Sequence, residues 1–237
     1  MNVVLLRVGI DTGCGGIHSP LFRDGTFEFV PIPDDSGTDE RTYGNSKGRA
    51  GRAFAEYFPE RKRAKERLRS MHVDPEFDSY TYGDPTPPKR GLAKMQSGDL
   101  LVFYAGMEGW GHKAPPALYL AGYFRVKLVG FAGDFTAKVI QQEFRQNSHV
   151  RHRTISEVQQ EKLVLIKGGN GSRLFLKAQL IGETVRRKNG TPWQMITPRM
   201  EKVFGKFGGI GSLQRSTPRW VEDGLVSKAE RFVESLE

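Results

Sequence analysis

With 237 residues, 28 of them Gly and 13 Pro, the chain suits one large strand-rich domain rather than a helical bundle. A single cysteine, Cys14, excludes an internal disulfide and a cysteine-cluster zinc site and fits a reducing cytosol, while no apolar run is long enough for a membrane span. Lys and Arg outnumber Asp and Glu by 36 to 27, and the net charge of +9 favours a polyanionic partner, nucleic acid before anionic lipid.

The first residues show no basic stretch followed by an apolar core and a small-residue cleavage site, so a secretory leader is not expected and the cytoplasm is the expected compartment. Residues 3–10 form an apolar run that reads as a buried first strand. Asp11-Thr12-Gly13-Cys14-Gly15-Gly16-Ile17-His18-Ser19-Pro20 follows, a glycine-rich loop carrying an acid, a thiol, an imidazole and a hydroxyl. Loops leaving a core strand often carry chemistry. Asp11, Gly15, Gly16, His18 and Ser19 are therefore pocket candidates, against the plain alternative of a tight polar turn. Asp24-Gly25 between apolar segments predicts a two-residue hairpin, and residues 34–48 read as a polar surface loop.

Residues 49–71 take on a helical pattern broken near Pro59, with Tyr57, Ala64, Leu68 and Met71 as a buried stripe. Arg61, Lys65 and Arg69 are four apart and should project together as a phosphate-binding face, with Arg151 and Arg153 assisting. The loop-like stretch 71–85 brings His72, Asp74, Tyr82 and Asp84. The clearest sheet signal is 100–104 followed by 117–129, where Leu118, Leu120, Phe124, Val126 and Leu128 alternate with Tyr119, Tyr123, Arg125 and Lys127 as in a one-sided strand. Trp110 and His112 lie on the connection, where Trp110 can stack on a base or close one end of a barrel.

Asp134 is placed to cap a helix over 135–146, His149 and His152 follow in a basic loop, and 163–167 is a buried strand. The glycine turn at 168–173 lacks the Gly-Lys-Ser/Thr ending of a P-loop, although Lys167 and Arg173 beside it can meet a phosphate, as can Arg215 further on. Asn189-Gly190 marks a turn, 198–204 a short helix, and the last dozen residues a terminal helix.

Three constellations carry chemistry. His72-x-Asp74 with His149 or His152 formally meets the two-histidine, one-carboxylate pattern, but the dipeptide spacing is common and assigns no metal by itself. Cys14 activated by His18 lacks an orienting third group. Asp11, Asp74 and Asp84 can jointly hold a divalent cation or serve as acid and base, with His72 beside them, although three loop acids are as often turn formers.

Asp11-x-x-x-Gly15-Gly16-x-x-Ser19-Pro20 and Val30-Pro31-Ile32-Pro33 resemble the opening of the third nucleotide modification associated domain family. His72-x-Asp74-Pro75-x-Phe77, Thr81-Tyr82-Gly83-Asp84 and the run from Gly98 to Gly106 look like its central blocks. Lys167-Gly168, Ser172-Arg173-Leu174 and Ser212-x-Gln214-Arg215-Ser216 look like its later ones. The resemblance implies a place in systems that hypermodify or read DNA bases, a pathway more than a mechanism. Cys14 and His18 are not part of the pattern. The central strands are also similar to the Gly-Asp-x-x-x-Phe-Tyr strand of PUA-like barrels, which implies a base held in an aromatic pocket.

The expected fold is α+β, a single domain around a mixed, largely antiparallel sheet that can close into a PUA-like barrel with peripheral helices. The expected function is binding of DNA or a nucleotide, recognising a modified base in a pocket of Asp11, Gly15, Gly16, His18, Ser19, Tyr82, Asp84, Tyr104 and Trp110. The alternative is an enzyme that modifies or hydrolyses a nucleotide with Asp11, Asp74 and Asp84. No cofactor follows from the sequence.

Overall fold

The computed structural model describes residues 1–36, 39–151, 155–186, 188–207, 211–213 and 217–237. His152, Arg153 and Arg215 lie outside the described residues. The strands are β1 (Val3–Arg7), β2 (Ser19–Leu21), β3 (Ile32–Pro33), β4 (Met71–His72), β5 (Thr81–Asp84), β6 (Leu100–Gly109), β7 (Ala117–Phe131), β8 (Val164–Gly168), β9 (Arg173–Arg186), β10 (Pro192–Ile196) and β11 (Arg219–Trp220). The helices are α1 (Glu60–Glu66), α2 (Ala137–Glu143), α3 (Glu157–Gln160), α4 (Pro198–Phe204) and α5 (Val226–Glu234).

Among the described residues nine strands form one sheet whose main path runs β10-β9-β7-β6-β1-β11. β1 and β2 lie parallel to β6, and the remaining pairings in this sheet are antiparallel. The α+β class and the mixed, largely antiparallel sheet are therefore as expected. The barrel is not: among the described residues β10 and β11 stand at the two ends of the path and do not pair with each other, and no closed barrel forms. The reason lies in β7, whose first half pairs with β6 and β9 while its second half turns to β8, with register shifts between. Such bulges bend a strand and let it serve two neighbours, so the sheet forks instead of closing.

The core sits on β1 and β6, where Val3, Val4, Leu5, Leu6, Leu100, Leu101, Val102 and Phe103 are all completely buried. Central strands covered on both faces read as unbroken apolar runs, as these do. Phe77, Phe103 and Phe124 meet edge to face with centroids 4.7–5.6 Å apart, each pair adding about 0.5–1.5 kcal/mol beyond area burial. β7 is not one-sided: Tyr123 is buried against Phe175, and Arg125 reaches Glu230 and Glu234 of α5.

Two smaller clusters flank the sheet. Ile10, Val30, Tyr43, Tyr57, Phe58 and Met71 form one, and Ala132, Phe144, Leu163 and Leu165 the other. The first cluster corrects two expectations. Within 34–48, Tyr43 is fully buried with its hydroxyl donating to the Pro31 carbonyl, and Arg41 pairs with Asp39 and Glu76, so the stretch is anchored rather than purely superficial. Helix α1 is short and buries Glu66, leaving Ala64 exposed and Leu68 84% exposed, so no apolar stripe runs along it. Arg69 lies beyond its end, tied to Asp35 and Glu66, while Arg61 and Lys65 remain on the exposed surface.

Local signals elsewhere shift by a few residues. Thr136, not Asp134, caps α2, and Asp134 accepts the Phe131 N–H of the preceding turn. The Asp24-Gly25 turn forms, closed by isolated bridges rather than by two paired strands. The described residues contain no helix long and apolar enough to cross a membrane.

Candidate functional site

The main sheet and the two flanking clusters converge on one cavity of about 480 Å³. β4 leads out of the first cluster and delivers His72, then Asp74. β5 on the sheet delivers Tyr82, Gly83 and Asp84, and the turn after α2 delivers His149. That turn is fixed at both ends: the His149 N–H donates to Asn147 Oδ1 at 3.0 Å, and the Ser148 hydroxyl donates to the Val73 carbonyl at 2.9 Å.

Both imidazoles face one carboxylate oxygen. His72 Nε2 lies 3.8 Å and His149 Nε2 3.6 Å from Asp74 Oδ2, and the rings meet edge to face at 4.6 Å. The Asp74 side chain is 3% exposed and accepts the Gly83 N–H at 2.9 and 3.1 Å. Burial pushes the Asp74 carboxyl well above the usual carboxylate range; the Gly83 bond opposes this and the Asp84 charge adds to it. Gly83 is required sterically, because a Cβ there would lie 2.8 Å from Asn147 Oδ1 and 3.1 Å from His149 Cδ2.

The remaining walls mix polar and apolar groups. Asp84 accepts the Tyr82 hydroxyl at 3.0 Å and both donors of Thr86. Arg7 and Lys89 line the cavity beside Val8, Ile32 and Pro88. Arg7 is steadied by Asp11 at 3.2 Å, whose other oxygen accepts the Gly13 and Cys14 N–H groups at 2.9 Å. Asp11 thus orders the glycine loop and holds Arg7, and does not line the cavity.

The family model for nucleotide modification associated domain 3 matches residues 2–233. The chain belongs to this family. No curated protein and no solved structure matches it. Membership in the nucleotide modification associated domain 3 family ties the chain to nucleotide modification, and the motif blocks quoted above map onto the structure unevenly.

His72, Asp74, Tyr82 and Asp84 share the cavity. Gly16, His18 and Trp110 line a different one, of about 420 Å³, with Tyr57, Arg63 and Glu108; there His18 Nδ1 lies 3.3 Å from Glu108. Trp110 is held edge-on by Phe22 and Tyr57, with Arg52 over its face. Gly15 is closed off by Ile10, and Ser19 is buried, its hydroxyl accepting the Val30 N–H. Tyr104 lies in the core with no exposure, donating to the Leu213 carbonyl at 3.2 Å, so it lines neither cavity.

Two of the expected phosphate ligands are engaged inside the fold: Lys167 donates to the Ser79 carbonyl, and Arg173 donates to the Tyr123 hydroxyl and the Glu234 carbonyl. Arg7, Lys89 and His149 also line the pocket, where the sequence did not place them. Only His149 had a signal, as a partner for His72-x-Asp74. The sequence assigned no metal, yet among the described residues His72, Asp74 and His149 form a group whose ligand atoms all lie within 4.8 Å of one another.

Proposed function

We propose that the chain acts chemically on a nucleotide, free or within a nucleic acid, in the His72–Asp74–His149 cavity, with its 237 residues working as one domain. The observation that carries this reading is the pair of imidazoles turned onto one buried carboxylate oxygen in the wall of a nucleotide-sized cavity. Burying a carboxylate is costly, and a buried, strongly perturbed acid in a cleft is a candidate reacting group. Imidazole and carboxylate are the usual acid–base groups at neutral pH. Arg7 and Lys89 supply positive charge for a phosphate, and Val8, Ile32 and Pro88 supply apolar wall for a base.

Recognition of a modified base without chemistry is the competing reading. Its best support is the second cavity, where Tyr57 and Trp110 stand beside Gly16 and His18. Incubation of the purified chain with deoxynucleotides and with short DNA, followed by mass spectrometry, separates the two. Conversion of a nucleotide, lost in His72→Ala, supports the enzyme. Tight binding of modified DNA without conversion, lost in Trp110→Ala and retained in His72→Ala, supports the reader.

A further inference from the structure

We infer that His72 Nε2, His149 Nε2 and Asp74 Oδ2 together bind one divalent first-row transition-metal ion. The inference deepens the reading of this cavity as a reacting site and rests on it for the use of the ion, though not for its binding.

The distances carry the argument. At 3.6 and 3.8 Å the imidazole nitrogens are too far from Asp74 Oδ2 for hydrogen bonds. Ligand atoms about 2.0–2.2 Å from a common ion stand roughly 3–3.5 Å apart, so these three flank a gap of nearly the right size. All three lie within 4.8 Å of one another, so small turns of the imidazoles bring them to a common ion.

The surroundings hold the three ligands in place. The Gly83 N–H fixes the Asp74 carboxylate, and Gly83 leaves room for the His149 ring against β5. Asn147 and Ser148 fix the His149 backbone to the strand segment that carries His72. The buried Asn147 side chain sets its amide towards the Asp74 carboxylate. Such outer groups orient ligands in metal centres.

Two imidazoles and one carboxylate suit zinc, iron, cobalt, nickel or manganese rather than magnesium or calcium, which prefer all-oxygen shells. Three protein ligands leave coordination positions for water or a substrate atom. Those positions open onto the cavity lined by Tyr82, Asp84 and Lys89.

The test uses the full chain, stripped with a chelator and titrated with Co²⁺ under an absorption readout, with Zn²⁺ as competitor. The expected result is one Co²⁺ per chain, displaced by Zn²⁺. His149→Ala and His72→Ala should each weaken binding by at least about 100-fold, the upper end of losses seen for outer-sphere partners. His18→Ala, in the other cavity, should bind as the unaltered chain does. Because a ligand variant can disturb folding, a Zn²⁺-soaked crystal of the unaltered chain gives a second reading. An anomalous peak about 2.0–2.2 Å from both Nε2 atoms supports the site. No stoichiometric binding, equal binding by a folded His149→Ala, or a peak elsewhere alone overturns it. Nucleotide conversion by the chelator-treated chain would leave the enzyme reading standing while showing that the reaction does without the ion. Stoichiometric Co²⁺ at this site with no conversion of any nucleotide would leave the metal site standing alone.

Discussion

Gly83→Ala puts a single methyl group at the point where the fold and the site meet. Gly83 lies in β5 opposite Leu165 of β8, and its N–H holds the Asp74 carboxylate. The added Cβ would sit 2.8 Å from Asn147 Oδ1, 3.1 Å from His149 Cδ2 and 3.2 Å from the Leu165 side chain. All three neighbours must give way. Overpacking of this kind costs about 1–3 kcal/mol, a fall in Tm of about 2–4 °C per kcal/mol for a chain of this size. The site should feel the same methyl group. Asn147 Oδ1 accepts the His149 N–H, so both contacts bear on the placement of the His149 ring. A full 1 Å misplacement of a reacting group costs on the order of 100-fold in rate, so the smaller shift these contacts demand should lower the rate by a lesser but measurable factor. Urea unfolding gives the first quantity and nucleotide conversion or Co²⁺ affinity the second. Gly91→Ala, where an added Cβ meets nothing within 4 Å, is the control. A Gly83→Ala protein as stable and as active as Gly91→Ala would refute the reasoning.

Gly15→Ala should lose about 2–5 kcal/mol of stability, because φ is +107° and a Cβ would lie 2.4 Å from the Ile10 side chain; chemical denaturation measures this. Tyr104→Phe should cost about 1 kcal/mol through loss of the bond to the Leu213 carbonyl, and nucleotide titration should show unchanged affinity. Burial raises the Asp39 carboxyl, but the hydrogen bonds from the Arg41 side chain and N–H outweigh it and hold the group below its ordinary value. Its folded pKa thus lies below the unfolded one, so the pair's stabilisation is complete above about pH 4 and fades as pH falls through the folded value. The stability difference between the chain and Asp39→Asn, followed from pH 7 to pH 2, should shrink only in that acid window. If DNA binds across α1, Arg61→Ala with Lys65→Ala should reduce the slope of log affinity against log salt by about 2, as read by fluorescence anisotropy.

What the sequence made legible were the elements whose burial pattern is local. The runs that became β1, β6 and β8, the Asn189-Gly190 turn and helix α4 were readable because periodicity and turn chemistry act within a few residues. Helix α1 was not, because an acid, Glu66, is buried there and an apolar residue, Leu68, is exposed, the reverse of what periodicity assumes. Tyr104 was misplaced for a related reason: β6 is covered on both faces, so a polar-tipped residue at its middle ends in the core. For the site, His72-x-Asp74 was visible as a spacing and Tyr82-x-Asp84 as a motif. His149 became their partner only through the anchoring of Ser148 to Val73, a contact between segments far apart in the chain. Arg7 carried no signal, since its role depends on the Asp11 carboxylate turning back onto it.

The most direct test of the central claim is a structure of the chain with a deoxynucleoside monophosphate. The account predicts the nucleotide in the cavity of His72, Asp74 and His149, its phosphate towards Arg7 and Lys89 and its reacting atoms towards the imidazoles. A nucleotide bound only beside Trp110 and His18 would contradict it.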